Sequence, residues 1–433
     1  VFTPESKMCG FVAYDLEVPV PTSEGLPEPP SGAPVSSFAA AIEEALSSSD
    51  APAGVPDTDG PPRLLSISGG GEFGAFGAGI FSGWNGDGDM PDFHVVTGIS
   101  TGSILSTFAF VDRADLAVDG YTIDSEAQLL DVYARPRNGQ PGAANIASLL
   151  RKGAFADLAP LRGRLAGYLS EDVMRAVAQR HAQGRRLYVG VTNVDTGQAE
   201  AFDMGEMATR HVNNLNGRAA QWKDCYIEAI IASSSAPMAA RPVFIDNTMY
   251  VDGGVRFGMF AEAVVGAVIS RQARVNIDAQ SVDAPVVYAI VNGTLTLPER
   301  PCPKKDRSLC TEEQPMGPRH APHRNWNIIE LALQSEEMLV DQVYRFSAAS
   351  VEQEACDEPG CFNFMRITDD VKEFAISLPA PLNAGRAGQL TCPEWAEVDI
   401  AVDDPIQFQK RYMRCLIAYG KARVQSEGWG DKI

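Results

Sequence analysis

From Arg63 onward, short apolar runs alternate with glycine-rich turns and stretches of helical spacing. Residues 64–68 (LLSIS) have the length and composition of a buried strand, a glycine run follows, and residues 75–84 carry helical periodicity. Residues 93–98 (FHVVTG) repeat the unit, with a second strand, the turn Ile99-Ser100-Thr101-Gly102 and a helix over 103–111. Two strand-turn-helix units in succession predict parallel strands joined by crossover helices, so the expected fold class is α/β. The alternation goes on with a helix over 172–183, a strand over 186–192, a helix-to-loop passage over 226–235 and a hairpin in PVFIDNTMYVDGG, turned at Asp246-Asn247. A helix over 261–271, a strand over 285–292, a long helix over 328–346, a strand over 362–367 and a last helix over 405–426 complete the expected series.

Residues 20–62 break this pattern. They are dense in Pro, Gly, Ser and Asp, and read as an arm wrapped over a domain or as a tether, with one short helix in SFAAAIEEAL. The expected organisation is an arm over 1–62, a core over 63–296, and a C-terminal part of the same α/β domain over 297–433 that includes an irregular excursion from 297 to 325.

Charge narrows the class of partner. With 36 Lys+Arg against 56 Asp+Glu in 433 residues, the net charge is −20, which argues against nucleic acid and against steady electrostatic binding to anionic membrane. Transient contact with a lipid surface is still allowed. No run approaches the roughly 18 apolar residues of a membrane span, so no transmembrane segment is expected, and any secretion signal ahead of Val1 has been removed or never existed.

The eight cysteines are Cys9, Cys225, Cys302, Cys310, Cys356, Cys361, Cys392 and Cys415. Cys302–Cys310 and Cys356–Cys361 each bracket a short polar turn and read as local disulfides, leaving the other four for long-range pairs that spacing does not assign. Oxidised pairs imply a secreted, periplasmic or membrane-tethered protein outside the cytoplasm; free thiols in a cytoplasmic protein are the alternative. A zinc set of Cys302, Cys310, His320 and His323 has cysteines spaced more widely than zinc motifs use, and no metal or other cofactor is expected.

Three motifs carry chemistry. Gly98-Ile99-Ser100-Thr101-Gly102 is a Gly-x-Ser-x-Gly between a strand and a helix, a turn that lifts a serine hydroxyl out of the chain at a helix N-terminus. Gly69-Gly70-Gly71-Glu72-Phe73-Gly74 also follows a strand. It reads as a plain tight turn, as a dinucleotide loop, or as a run of amides that donate to an oxyanion. The serine turn one crossover downstream favours the oxyanion reading, since right-handed crossovers set successive turns side by side at the strand ends. Val251-Asp252-Gly253-Gly254, preceded by ASSSAP (232–237), supplies a carboxylate in a glycine turn.

Taken together and in order, GGGEFG, GISTG, ASSSAP and YVDGG resemble the patatin-like lipid acyl hydrolases, with LYVGVTNVDTGQAEAFDMG (187–205) extending the likeness across roughly 63–430. The resemblance implies a three-layer α/β/α fold with a mainly parallel sheet, and a Ser–Asp dyad without histidine or metal. It implies Ser100 as nucleophile, Asp252 as base, and Gly69, Gly70 and Gly71, with the Thr101 amide, as the oxyanion hole. Gly74, Gly98, Gly102, Gly253 and Gly254 are the remaining motif glycines. Where family members often carry Arg or Lys before the last glycine of the loop, this chain has Phe73, so a preference for anionic headgroups does not carry over.

The expected function is a serine lipid acyl hydrolase acting on phospholipids or related acyl lipids. Its competitors are a Ser-His-Asp small-ester esterase, for which His320 and His323 follow Asp252 in the right order, and a non-catalytic lipid-binding protein on the same scaffold. His94 reads as a packed strand residue, His181 as solvated, and His211 as lacking a partner. Phe257, Met259 and Phe260 read either as core or as an acyl-chain wall beside the base.

Overall fold

The computed structural model describes residues 6–10, 13–16, 38, 61–88, 90–133, 151–260, 285–296, 328–355, 360–426 and 428–430. The described residues are organised around a nine-stranded sheet. Its strands are β1 (Ala13–Asp15), β2 (Arg63–Ile67), β3 (Val95–Ile99), β4 (Arg186–Asn193), β5 (Ala199–Asp203), β6 (Val243–Ile245), β7 (Thr248–Asp252), β8 (Val286–Val291) and β9 (Phe362–Arg366). Along the sheet the order is β1-β5-β4-β3-β2-β8-β9, with β7 joining β4 and β6. The centre, β4-β3-β2-β8-β9, is parallel throughout. β1, β5, β6 and β7 pair antiparallel.

Both faces of this sheet are covered, because its strands are apolar on both sides. Side chains alternate across a strand, and Leu64 and Leu65, Val95 and Val96, and Tyr188 and Val189 divide accordingly between two separate buried clusters. Over one face lie α1 (Gly74–Asp87), α2 (Thr101–Phe110), α3 (Ala114–Tyr121), α4 (Ala159–Tyr168), α5 (Glu171–Ala182), α6 (Met204–Val212) and α7 (Ala219–Ser233). Over the other, α8 (Ile328–Glu354) buries Ala348 and Val351 beside Phe260 and Phe38. The protein is a mixed α/β fold with a central, mostly parallel sheet flanked by helices.

Two further helices, α9 (Cys392–Val402) and α10 (Lys410–Ser426), form a hairpin. The sequence pattern merged its connection into the last helix and missed α9, whose start is fixed by a capping box between Thr391 and Glu394. α10 lies along α1, where Gly79 and Gly83 let the helix backbones approach: a Cβ on Gly79 would stand 2.1 Å from the Ile417 carbonyl.

The N-terminal segment is tied to the domain. Asp246 and Asn247 both take positive φ (50° and 65°), the backbone of a type I′ hairpin turn. The Asp246 carboxylate accepts the amides of Cys9 (2.6 Å) and Gly10 (2.9 Å), and Cys9 forms a disulfide with Cys225 on α7. A second disulfide, Cys392–Cys415, joins α9 to α10. Cys361 is disulfide-bonded as well. Cys356, Cys302 and Cys310 lie outside the described residues, as do His320, His323, the expected helix over 261–271 and the excursion over 297–325.

Candidate active site

β3 ends at Ile99 and α2 begins at Thr101, so the whole turn between them is Ser100. Its backbone takes φ 53° and ψ −123°, a sparsely populated conformation for a side-chain-bearing residue, which other groups must hold. The Ser100 amide donates to Ser233 Oγ (2.9 Å), whose own hydroxyl donates to the Gly190 carbonyl (2.7 Å). Its carbonyl accepts the Ser103 amide (2.9 Å), Ser103 Oγ (2.6 Å) and Ser234 Oγ (3.3 Å). Gly98 ends in the strand, and Gly102 is where the turn presses on its neighbour: a Cβ there would stand 2.3 Å from the Ile67 carbonyl.

Asp252 closes β7. Its amide donates to the Ser235 carbonyl (3.0 Å), and Thr192 Oγ1 donates to its carbonyl (3.1 Å). Gly253 and Gly254 turn directly after it, and the Gly254 amide donates to Asp252 Oδ1 (2.7 Å). The carboxylate shares the cavity with Ser100, whose side chain pulls its pKa down. Only 7% of Asp252 is exposed, and burial pushes its pKa up to about 6 against the opposing pull of Ser100 and the Gly254 bond.

The glycine run leaves β2 between the serine turn and the end of β8. Gly70 has φ 142°, and a Cβ on it would meet the Asn292 carbonyl at 2.0 Å, so no other residue fits. Asn292 braces the run further: its Nδ2 donates to the Ser68 carbonyl (2.9 Å), its amide donates to Ser68 Oγ (2.9 Å), and its Oδ1 accepts the Gly77 amide (3.2 Å). Thr101 Oγ1 donates to the Gly71 carbonyl (2.9 Å), tying the run to the serine turn, and Gly74 begins α1 against that same hydroxyl. Phe73 stacks edge-on against Tyr412. Gly69 packs beneath the Tyr344 hydroxyl, which also overhangs Gly254 and is kept protonated by burial and by the nearby Asp252 charge.

Ser100, Asp252, Gly70, Gly71 and Thr101 share one cavity of about 750 Å³. Away from these groups its walls are mainly apolar, built from Ile104 and Phe108 of α2, Leu129 and Leu130, Phe155 and Leu161, with Arg164 and Gln407 as polar exceptions. Phe257, Met259 and Phe260, the acyl-wall candidates of the sequence, are absent from it. Past Gly254 the chain passes to the other face of the sheet, where Met259 and Phe260 are buried and Phe257 packs against them. Their apolar character serves that second core, and the cavity belongs to the α2 face.

Several contributors were not legible as such. Each serine of ASSSAP touches the site, Ser233 and Ser234 through Ser100 and Ser235 through Asp252. Asn292 gave no signal beyond ending a strand, and Tyr344 none beyond helical spacing. Two of the histidines also differ from expectation. His181 is mostly buried, with Nδ1 3.6 Å from Asp203 Oδ1, and burial followed by the Arg186 charge lowers its pKa to about 4. His211 is buried too, with Nδ1 2.7 Å from the Ala219 carbonyl oxygen and Nε2 3.0 Å from Glu171 Oε2. His94 accepts the Arg63 amide (3.0 Å) at the opposite end of β3 from Ser100. None of the three lines the cavity. Among the described residues there is no metal-binding group of three or more His, Cys, Asp or Glu, and no helix is long and apolar enough to cross a membrane.

A family model described as patatin-like phospholipase matches residues 65–265, the stretch that runs from β2 through the serine turn to the Asp252 turn. Over residues 65–265 the chain is similar to the patatin-like phospholipases. Lipid acyl hydrolysis is the general chemistry of that family. No curated protein matches the sequence. Among solved structures, VipD from Legionella pneumophila is similar at 13% identity and a TM-score of 0.31, with 55% of this chain and 51% of VipD covered. The chain thus spans about half the length of VipD in that match. The patatin-like match ends before β8, α8, α9 and α10, so Asn292, Tyr344 and the helical hairpin are brought to the domain by the C-terminal part of the chain.

Proposed function

We propose that this protein hydrolyses carboxylic esters of acyl lipids through a Ser100–Asp252 dyad. The Asp252 carboxylate takes the Ser100 proton as Oγ bonds to the ester carbonyl carbon. The carbonyl oxygen becomes an oxyanion, held by amides of Gly70 and Gly71 with that of Thr101. Collapse breaks the ester bond, and the leaving alcohol takes the proton from Asp252. Water then attacks the acyl-enzyme, gives a proton to Asp252 and releases the fatty acid, while Ser100 regains its proton.

The observation that carries this reading is the placement of Ser100 and Asp252 together in the cavity, at the adjoining ends of β3 and β7 along β4. A carboxylate with a pKa of about 6 is a better base than one at 3.8 and is still ionised at neutral pH. The mainly apolar walls suit an acyl chain. Mass spectrometry of lipid products from wild type and Ser100→Ala, each incubated with mixed phospholipid and acylglycerol micelles, tests it. Free fatty acid from the wild type alone supports the assignment; equal product from both proteins overturns it.

An extracytoplasmic location, secreted, periplasmic or membrane-tethered, fits the Cys9–Cys225 and Cys392–Cys415 disulfides. For domain organisation we favour one α/β unit over 63–433 with residues 1–62 as its arm, supported by β1 pairing with β5 and by Phe38 packing on Tyr188.

A further inference from the structure

Residues 405–409 connect α9 to α10 and run past the cavity, with Ile406, Gln407 and Phe408 among its lining. This connection has no regular structure of its own, and two glutamate side chains from elsewhere in the fold hold it. Glu126, buried at 5% exposure, accepts three successive amides: Ile406 (3.0 Å), Gln407 (2.7 Å) and Phe408 (3.0 Å) on Oε1. Glu72, in the glycine run, accepts the Gln409 amide at 2.8 Å. The ends of the connection are fixed as well, by the Cys392–Cys415 disulfide and by the Arg411 ion pairs with Asp399 and Asp403.

We infer that Glu126 is a positioning residue for acyl-chain specificity, holding the 405–409 strap as one wall of the cavity. The inference rests on the hydrolase reading above and adds to it a wall contributed by a part of the chain beyond the patatin-like match. Two features separate this role from general scaffolding. The strap meets the site directly, since the Gln407 carboxamide nitrogen lies 2.9 Å from where a Cβ on Gly71 would sit. The glycine run touches the strap at Gly71 and through the Glu72–Gln409 bond, but its backbone is braced separately by Asn292 and Thr101. Loosening the strap therefore opens the wall while leaving Ser100, Asp252 and the oxyanion loop in register. A short acyl group, which ends near the serine, meets that wall only around Gln407 beside Gly71, whereas a long one runs further along it.

The test compares kcat/KM for p-nitrophenyl acetate and p-nitrophenyl laurate in wild type, Glu126→Ala and Glu126→Gln, with near-ultraviolet circular dichroism to verify folding. Glu126→Ala is expected to lose about tenfold or more on laurate, mainly through KM, and to stay within about twofold on acetate. Glu126→Gln keeps one carbonyl acceptor for the three amides and falls between. Equal losses on both esters, or no loss on either, overturn the assignment. If Glu126→Ala does not fold, Gln407→Ala with Phe408→Ala reads the same wall from the strap side, and an unchanged laurate-to-acetate ratio there is equally fatal. Binding of the fluorescent fatty acid cis-parinaric acid, measured in Ser100→Ala and in Ser100→Ala with Glu126→Ala, separates the two claims. Should wild type turn over neither ester, the hydrolase reading fails, while weaker parinaric acid binding on loss of Glu126 still supports the wall and unchanged binding refutes it.

Discussion

Ser100 and Asp252 come together because both sit along the same edge of β4. β3 pairs with the first part of β4 and ends with Ile99 opposite Gly190; β7 takes over at the next residue, with Asp252 opposite Val191. A parallel strand and an antiparallel one thus meet end to end on one neighbour, and the meeting point carries the hydroxyl and the carboxylate. Ser233 sits beneath it, bonded to Ser100 and to Gly190 at once.

The first expected consequence concerns the identity of the base. Ser100→Ala and Asp252→Asn should each lower kcat on a soluble ester by about a thousandfold or more, within the range for loss of a nucleophile or its base, with circular dichroism unchanged. His320→Ala and His323→Ala should retain most activity. A histidine variant as inactive as Asp252→Asn, yet folded, would transfer the protein to the triad hydrolases.

A second concerns pH. Asp252 serves as base only when ionised, and its raised pKa of about 6 moves that requirement upward from the ordinary 3.8. The kcat/KM for p-nitrophenyl acetate should therefore fall about tenfold per unit below pH 6 and level off above it. A profile flat down to pH 4.5 would show a base in its ordinary range.

Stability should carry a separate signature from Glu72, whose pKa burial raises from 4.5 to about 8, with the Asp399 and Glu126 charges adding to the rise and the Gln409 amide opposing it. Between those values the folded chain holds a proton that the unfolded chain has released, so stability falls as pH rises, by about 1.4 kcal/mol per unit for one proton. Over pH 7–8 neither Asp252 nor His181 titrates, with folded values of about 6 and about 4. Denaturant titrations at pH 7 and pH 8 should show this decline in wild type and lose it in Glu72→Gln; the same slope in both would assign it elsewhere.

The cavity and the second core should respond differently to substitution. Leu161→Trp narrows the cavity and should cut laurate turnover more than acetate turnover, each excluded methylene being worth about 0.8 kcal/mol. Phe260→Ala, on the opposite face of the sheet, should instead cost about 3–5 kcal/mol of stability and leave the laurate-to-acetate ratio alone. A shift in that ratio for Phe260→Ala would return the residue to the acyl site.

Disulfide mapping of the unreduced protein should link Cys9 to Cys225 and Cys392 to Cys415. With a sequence separation of 216, the first closes the longer loop, and chain entropy sets its contribution at up to about 5 kcal/mol against about 3 for the second. Replacing Cys9 and Cys225 by serine should lower the denaturation midpoint more than replacing Cys392 and Cys415. The reverse order would mean that the N-terminal segment contributes little to the global transition.

What the sequence determined by itself was the local chemistry. Glycine placement announces the serine turn, the amide run and the Asp252 turn, because a close backbone approach or a positive φ leaves few other residues possible, and β-strand runs apolar on both sides announce a sheet covered on both faces. The α/β class and the order of the central units follow from that. Tertiary structure decided everything that depends on which face a segment reaches. Phe257, Met259 and Phe260 have the composition of an acyl wall, and only the passage of the chain past Gly254 sends them to the other core. Leu129, Phe155 and Leu161 are unremarkable in sequence and become cavity walls because α2 and its neighbours leave space between them. Asn292, Tyr344, Glu126 and the 405–409 strap meet residues far away along the chain. Such partners obey no local spacing rule, since hydrogen bonding and packing act on distance in space, and distance in space is set by the fold.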